Sequence, residues 1–165
     1  MKAVAICGSP RTPSKSRALA ETMLRALEVR ACETSLIDLA TLPAEALLAR
    51  VNAPEVDEAI VTVGDADIVI AATPTYRALY TGLLKCFFDL MPQSHLAGKR
   101  CIGLQTGLAQ QHALAAEYGF RPLFASLDGV PVAVLYATDA EFSEGVPDAE
   151  LVLRLKNAAE QVNLR

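Results

Sequence analysis

The chain has no tryptophan, only two histidines, and aromatic residues at 5% of its 165 positions. With a net charge of −4 and no run of basic residues, it lacks both the stacking platforms and the electrostatic footprint of a nucleic-acid binder. Its four cysteines, Cys7, Cys32, Cys86 and Cys101, are widely scattered, with no C-x-x-C pair and no histidine cluster. Neither a disulfide framework nor a zinc site follows, and the thiols are expected reduced and packed. No apolar stretch is long enough to span a bilayer, and Lys2 leads straight into a strand-like run with no cleavage site. A cytoplasmic protein without membrane contact is expected. No linker, repeat or low-complexity segment interrupts the chain, and 52% hydrophobic content gives residues 1–165 enough material for one domain with a proper core.

Glycine is scarce at one telling place. Residues 4–17, Val-Ala-Ile-Cys-Gly-Ser-Pro-Arg-Thr-Pro-Ser-Lys-Ser-Arg, carry an apolar run into a short loop of hydroxyls and cations before a helical pattern, with Gly8 as the loop's only glycine. Neither the Walker A spacing nor the three-glycine dinucleotide fingerprint is met. A thiolate phosphatase of the C-x5-R-[ST] type would need arginine at position 13, where Pro13 stands. Cys7 therefore reads as a packed thiol at a strand end. What remains is a strand, a loop and a helix N-terminus: free amides, a partial positive charge, and donors from Ser9, Ser14, Ser16, Arg11, Lys15 and Arg17. The pattern suits a phosphate; it equally suits a serine-capped helix with solvated cations.

Short apolar runs alternate with helical patterns along the whole chain. Strands are predicted over 2–8, 32–39, 66–73, 100–105 and 130–136, and helices over 14–30, 54–64, 78–91, 110–127 and 147–163. Such alternation, with strands lacking polar alternation, indicates an α/β fold with a parallel sheet covered on both faces. Ligands of open sheets of this kind sit beyond the carboxyl ends of the strands, near the point where strand order reverses. The loops at 8–14, 73–78 and 106–109 are therefore the candidate site.

The second loop reads Ala-Thr-Pro-Thr-Tyr-Arg. Pro74 is expected to end the strand and turn the backbone, exposing peptide groups beside Tyr76 and Arg77 in a way that suits a planar heterocycle. An ordinary strand-to-helix turn with a surface tyrosine is the alternative. In the third loop, Gly107 either lets a ring approach the backbone or merely ends a strand.

Together, Gly-Ser-Pro-Arg-x-x-Ser-x-Ser and the later Thr-Pro-x-Tyr-x-x-x-Tyr-Thr-Gly-Leu-Leu-Lys-x-x-x-Asp-Leu-Met-Pro make the sequence one that resembles the NADPH-dependent FMN reductase family. The pattern is most similar to the flavin reductases of two-component alkanesulfonate monooxygenase systems, and the likeness continues through His95–Lys99, Thr106–Gly107 and residues 112–122. The resemblance implies a flavodoxin-like three-layer α/β sandwich with a five-stranded parallel sheet of order 2-1-3-4-5 and FMN across the three loops. Ser9, Arg11, Ser14 and Ser16 match the family's phosphate loop. Pro74, Thr75, Tyr76 and Arg77 match the segment beside the isoalloxazine, while Thr106, Gly107 and Leu108 occupy the third loop. Leu108 departs from the pattern, since many relatives carry a second glycine there.

The implied activity is NAD(P)H-dependent FMN reduction, with NADPH or NADH as donor and reduced FMN passed on to a flavin-dependent monooxygenase. An FMN-retaining quinone, azo or metal-oxyanion reductase and a flavodoxin-type electron carrier are the rival readings. Hydride transfer between stacked rings makes little demand on a side-chain acid or base, so no catalytic side chain is assigned. His95 and His112 are expected in surface or capping roles. Residues 78–91 are apolar at ten of fourteen positions, and a helix apolar nearly all round needs cover on two sides. A homodimer or homotetramer through that helix is expected, with cover from residues 41–53 as the alternative. The resemblance also places a bulged residue near Tyr118 at a subunit interface, although Gly119 and Pro122 can distort that helix unaided and a core tyrosine fits as well.

Overall fold

In the computed structural model, which describes residues 1–162, five parallel strands form one sheet: β1 (Lys2–Cys7), β2 (Glu33–Asp38), β3 (Ile68–Pro74), β4 (Arg100–Gly107) and β5 (Val130–Thr138). Their order is β2-β1-β3-β4-β5, the flavodoxin-like order, with the chain reversing direction across the sheet between β1 and β3. The three inner strands are buried almost end to end, whereas the edge strands β2 and β5 are only partly covered. That difference follows from position in the sheet, because only inner strands have both neighbours and both faces shielded.

Two apolar layers sandwich the sheet. On one face α1 (Lys15–Glu28) and α6 (Ala149–Gln161) bury Leu19, Met23, Leu27, Leu151 and Leu155 against β1, β3 and β4. On the other, α3 (Pro54–Gly64), α4 (Gly82–Asp89) and α5 (Ala113–Ala125) contribute Val63, Leu84, Phe87, Phe120 and Phe124. Close packing needs two glycines there. A Cβ on Gly103 would lie 2.9 Å from the Cβ of Phe120, and one on Gly119 would lie 2.7 Å from Leu79 Cδ1. The first seats α5 on β4, and the second seats the loop after β3 on α5.

Several predicted boundaries move. The helix expected over 78–91 begins at Gly82, because Thr81 caps it by accepting from the Leu84 amide at 3.1 Å. Its apolar face is met within the chain by residues 39–47, which include a 3-10 turn and the one-turn helix α2 (Ala44–Leu47). Leu84, Phe87 and Phe88 are core, Leu83, Cys86 and Leu90 stay half-buried, and Lys85 and Asp89 form an ion pair on the exposed side. Strands β4 and β5 each run two residues further than expected, so Thr106 and Gly107 belong to β4. Residues 110–112 form a 3-10 turn before α5. The closing helix begins at Ala149, capped by Asp148, and Asn163, placed in it by the sequence, lies outside the described residues. Between β5 and α6 a short hairpin, β6 (Phe142–Ser143) and β7 (Val146–Pro147), was not anticipated.

His95 holds a ring nitrogen 2.9 Å from the Ile60 carbonyl, and Lys99 Nζ donates to the carbonyls of Gly64 and Ala66 at 2.6 and 2.8 Å. Lys99 thereby satisfies the orphan Gly64 carbonyl at the end of α3, a favourable place for a cation. His112 precedes α5 without making a side-chain cap bond. Tyr118 corrects two readings: α5 is α-helical throughout with no π turn, and the tyrosine is 74% exposed rather than core. Pro122 accommodates itself in that helix by leaving the Tyr118 carbonyl without an amide donor.

Candidate flavin-binding site

The loop after β1 is built by its own serines. Ser9 is buried and folds back, donating to the Arg11 carbonyl at 2.9 Å and accepting from the Arg11 amide at 3.1 Å. Ser14 caps α1, accepting from the Arg17 amide at 3.2 Å, and its hydroxyl lies 3.4 Å from that of Ser16. The amides of Lys15 and Ser16 open the helix and have no intrahelical carbonyl to bond. Of the two sequence alternatives the serine cap is formed, and those two amides are the ones an anion would take.

Of the three cations near this loop, two are already engaged. Arg17 is held by Glu21 at 2.8 Å and Asp38 at 2.6 Å, and Lys15 by Asp139 at 3.1 Å. Arg11 alone is exposed with no carboxylate partner among the described residues. Cys7 lies 4.0 Å from Ser14 Oγ, but burial pushes its thiol pKa up, with Asp38 adding to the shift and the Ser9 and Ser14 contacts opposing it. It remains a neutral packing group.

Across the sheet edge, the loop after β3 is shaped by tertiary contacts. Pro74 ends β3 as expected, being itself the strand's last paired residue, opposite Thr106. The missing proline N–H costs nothing there, and the next amide, Thr75, donates to the Thr106 carbonyl at 2.6 Å. That amide is consequently not free for a ligand. Tyr76 and Leu79 then close a tight turn, with Tyr76 N donating to Leu79 O at 2.9 Å. Its central residues, Arg77 and Ala78, have φ of 51° and 71°. A turn with both central residues left-handed favours Asn-Gly, so Arg-Ala holds it under strain of about 1–2 kcal/mol per residue.

Three residues the sequence did not single out hold this end in place. Thr81 donates to the Gly8 carbonyl at 2.6 Å and its amide donates to Thr73 Oγ1 at 3.1 Å, tying the first and second loops together. Its signal was available as a threonine directly before the helix start. Gln105 is fully buried on β4, donating from Nε2 to Thr75 Oγ1 at 2.8 Å while its Oε1 has no protein partner. Tyr136, on β5, donates to the Ala109 carbonyl at 3.0 Å and packs over Gly107. A Cβ on Gly107 would meet that hydroxyl and stand 2.8 Å from Thr75 Oγ1, so the glycine serves close approach within the protein. Leu108 has no positive φ, and its side chain is 83% exposed, so leucine is accommodated there without strain.

Seven of the eleven expected site residues, Ser9, Arg11, Ser14, Ser16, Pro74, Tyr76 and Thr106, line one cleft of about 220 Å³, together with Asp139. Thr75, Arg77, Gly107 and Leu108 lie behind or beside it rather than in its wall. The donor set fits a phosphomonoester at one end: two helix-opening amides, hydroxyls, and an uncommitted guanidinium.

A parallel sheet of this order with a phosphate-type seat at its switch point defines a flavodoxin-like protein whose site suits a mononucleotide flavin. Residues 1–143 match the family model described as NADPH-dependent FMN reductase, and the chain belongs to that family of oxidoreductases, which use FMN with NADPH or NADH. It is 34% identical over 160 residues to an FMN reductase (NADPH) of Pseudomonas putida, covering 94% of this chain and 81% of the relative. It is 33% identical to the NADH-dependent FMN reductase SfnF of Pseudomonas fluorescens, over 98% and 89% of the two chains. Among solved structures, the apo form of the NADH:FMN oxidoreductase EMOB superposes with a TM-score of 0.91 at 36% identity, covering 99% of this chain and 90% of that one. No helix among the described residues is long and apolar enough to cross a membrane.

Proposed function

We propose that this chain reduces FMN as an exchangeable substrate and passes it on, rather than keeping it as a permanent prosthetic group. The observation that carries this reading is the state of the seat's cations: Lys15 and Arg17 are ion-paired within the protein, leaving Arg11 as the one uncommitted guanidinium. The cleft is also shallow, its 220 Å³ lying below the roughly 300–1,000 Å³ of enclosing ligand pockets. Both features favour a modest grip and an open ring face.

When bound, FMN supplies the hydride acceptor for the nicotinamide. The protein's part is positional. The α1 amides with Arg11, Ser14 and Ser16 hold the phosphate, while Pro74, Tyr76 and Thr106 line the cleft toward the ring and Thr75, Arg77, Gly107 and Leu108 shape it from behind or beside. Gln105 and Tyr136 keep Thr75 and Gly107 in register, and no side chain is required to move a proton.

A flavin released after reduction needs a consumer, and the SfnF likeness supports a flavin-dependent monooxygenase as that partner. Leu114 and Tyr118, 64% and 74% exposed and one turn apart on α5, support a homo-oligomer through that face. Four unbridged cysteines agree with a cytoplasmic location.

Dialysis of the purified protein followed by NADPH oxidation with and without added FMN tests the central claim. Loss of the yellow colour with activity restored by free FMN is the expected result. Retained flavin with no response to added FMN overturns it in favour of a flavin-retaining reductase.

A further inference from the structure

One wall of the flavin cleft carries the wrong charge for a phosphate. Asp139 lines it together with Ser9, Arg11, Lys15 and Ser16, although that carboxylate lies in none of the three loops singled out by the sequence. It comes from the 3-10 turn Asp139–Glu141, which follows β5 at the same carboxyl end of the sheet. The turn is held firmly. Glu141 accepts from the Thr138 amide at 2.6 Å and from the Thr138 hydroxyl at 2.8 Å, and its other oxygen accepts from Arg154 of α6. The backbone of Asp139 is thereby fixed beside the cleft.

Asp139 faces Lys15, and this turn grips the lysine three times. Lys15 Nζ lies 3.1 Å from Asp139 Oδ1, 3.4 Å from the Asp139 carbonyl and 5.6 Å from the centre of the Phe142 ring. Because Lys15 is the first residue of α1, its amide sits at the seat while its side chain is drawn to the Asp139 wall. Arg17 differs. It does not line the cleft, and its guanidinium is spent on Glu21 and on the largely shielded Asp38. The side chains of Lys15 and Asp139 are 35% and 43% exposed, and ion pairs so open to water are weak and quickly remade. Of the two paired cations, Lys15 is thus the one that an incoming phosphate can recruit.

We infer that Asp139 keeps the hold on FMN loose, acting as an internal counter-anion that competes with the flavin phosphate for Lys15. The inference rests on the exchange reading above. An unopposed Lys15 would add a third kind of donor to Arg11 and the two helix-opening amides, and a phosphomonoester, close to doubly ionised at neutral pH, is the group that gains from it. With Asp139 present, a phosphate that draws Lys15 across leaves a carboxylate unpaired in the wall of its own cleft. Competition for the ammonium and the like charge left behind both favour release.

Equilibrium and stopped-flow titrations of the full chain with FMN and with riboflavin, which lacks the phosphate, test this. Wild type, Asp139→Asn, Asp139→Ala, Lys15→Gln and the Asp139→Asn/Lys15→Gln double variant are compared. The Asp139 side chain makes no other hydrogen bond among the described residues, so both neutral variants should fold. Each is expected to bind FMN about fivefold to tenfold more tightly, mainly through slower dissociation, with riboflavin affinity within about twofold of wild type. In the Lys15→Gln background, Asp139→Asn should strengthen FMN by no more than about twofold. FMN affinity that is unchanged or lowered in both neutral variants overturns the inference, and so does equal strengthening of FMN and riboflavin, which no phosphate contact can produce. A gain of the same size with and without Lys15 also overturns it, because Asp139 then acts on the phosphate directly. In all three cases a wild type that releases FMN on dialysis leaves the exchange reading standing. Wild-type protein that keeps its FMN through dialysis overturns that reading, and this inference with it, whatever the variants do.

Discussion

At the phosphate end of the cleft, residues within eight positions of one another, Ser9 to Ser16, provide the hydroxyls, the helix-opening amides and one uncommitted guanidinium. At the ring end, Thr75, Gln105, Gly107 and Tyr136 come from the loop after β3, from β4 and from β5 and constrain one another by contact. The contrast separates two kinds of construction. The first is a local conformation whose groups face outward for a ligand; the second is a packed assembly whose groups are largely occupied with each other. Damage to the first should appear as lost affinity, and damage to the second as lost stability.

The strongest test of that division is Gly103→Ala, whose new Cβ would collide with Phe120 beneath the ring end. A destabilisation of about 2–3 kcal/mol is expected in denaturant unfolding, the upper part of the usual range for overpacking, with Gly107→Ala somewhat milder at about 1–2. Should either variant keep its stability and lose only flavin affinity, the packed-assembly account fails. Arg11→Ala is the converse case. Flavin binding should weaken by about 1–3 kcal/mol, the scale of a lost charged hydrogen bond, with unfolding unchanged within about 0.5 kcal/mol. Equal FMN affinity in that variant and the wild type removes Arg11 from the seat.

Ala78→Gly sharpens the comparison from another side, since it relieves one left-handed residue of the strained turn at the ring end. A gain of about 1 kcal/mol, read as a melting temperature about 2–4 °C higher, is expected. The smallest effect at neutral pH concerns Cys101, whose thiol pKa burial pushes up to about 12. A raised folded-state pKa favours the neutral thiol, so its contribution is complete below the unfolded value near 9 and fades as pH climbs from there through 12. Replacing Cys101 by alanine should flatten stability against pH in that window. An unchanged alkaline slope would assign the loss to other groups.

The resemblance and the residue pattern made the fold legible because inner parallel strands are continuous apolar runs and the helices between them keep their periodicity. The sheet order and the placement of α1 after the first loop stand as expected. Helix 78–91 was less legible. Its first four residues share the apolar composition of a helix, yet Thr81 captures the cap position and the preceding residues turn back through Arg77 and Ala78. The cover of that helix within the chain was illegible for a related reason. Composition counts apolar residues but does not say that residues 39–47 will lie across them, or that Leu114 and Tyr118 will be left uncovered.

The conformation of the proposed phosphate seat was written in the sequence itself, because a serine two residues before an arginine and another at a helix start form their bonds with near neighbours. Those bonds need no distant partner. That Arg17 and Lys15 would be spent on Asp38 and Asp139, residues 21 and 124 positions away, could be decided only when the sheet brought the carboxylates alongside. The same holds for Gly107, whose glycine is required by Tyr136 and Thr75 rather than by its own backbone angle. Local hydrogen bonding and hydrophobic period are carried by adjacent residues, whereas the occupancy of a charge and the space at a glycine depend on groups that only folding makes neighbours.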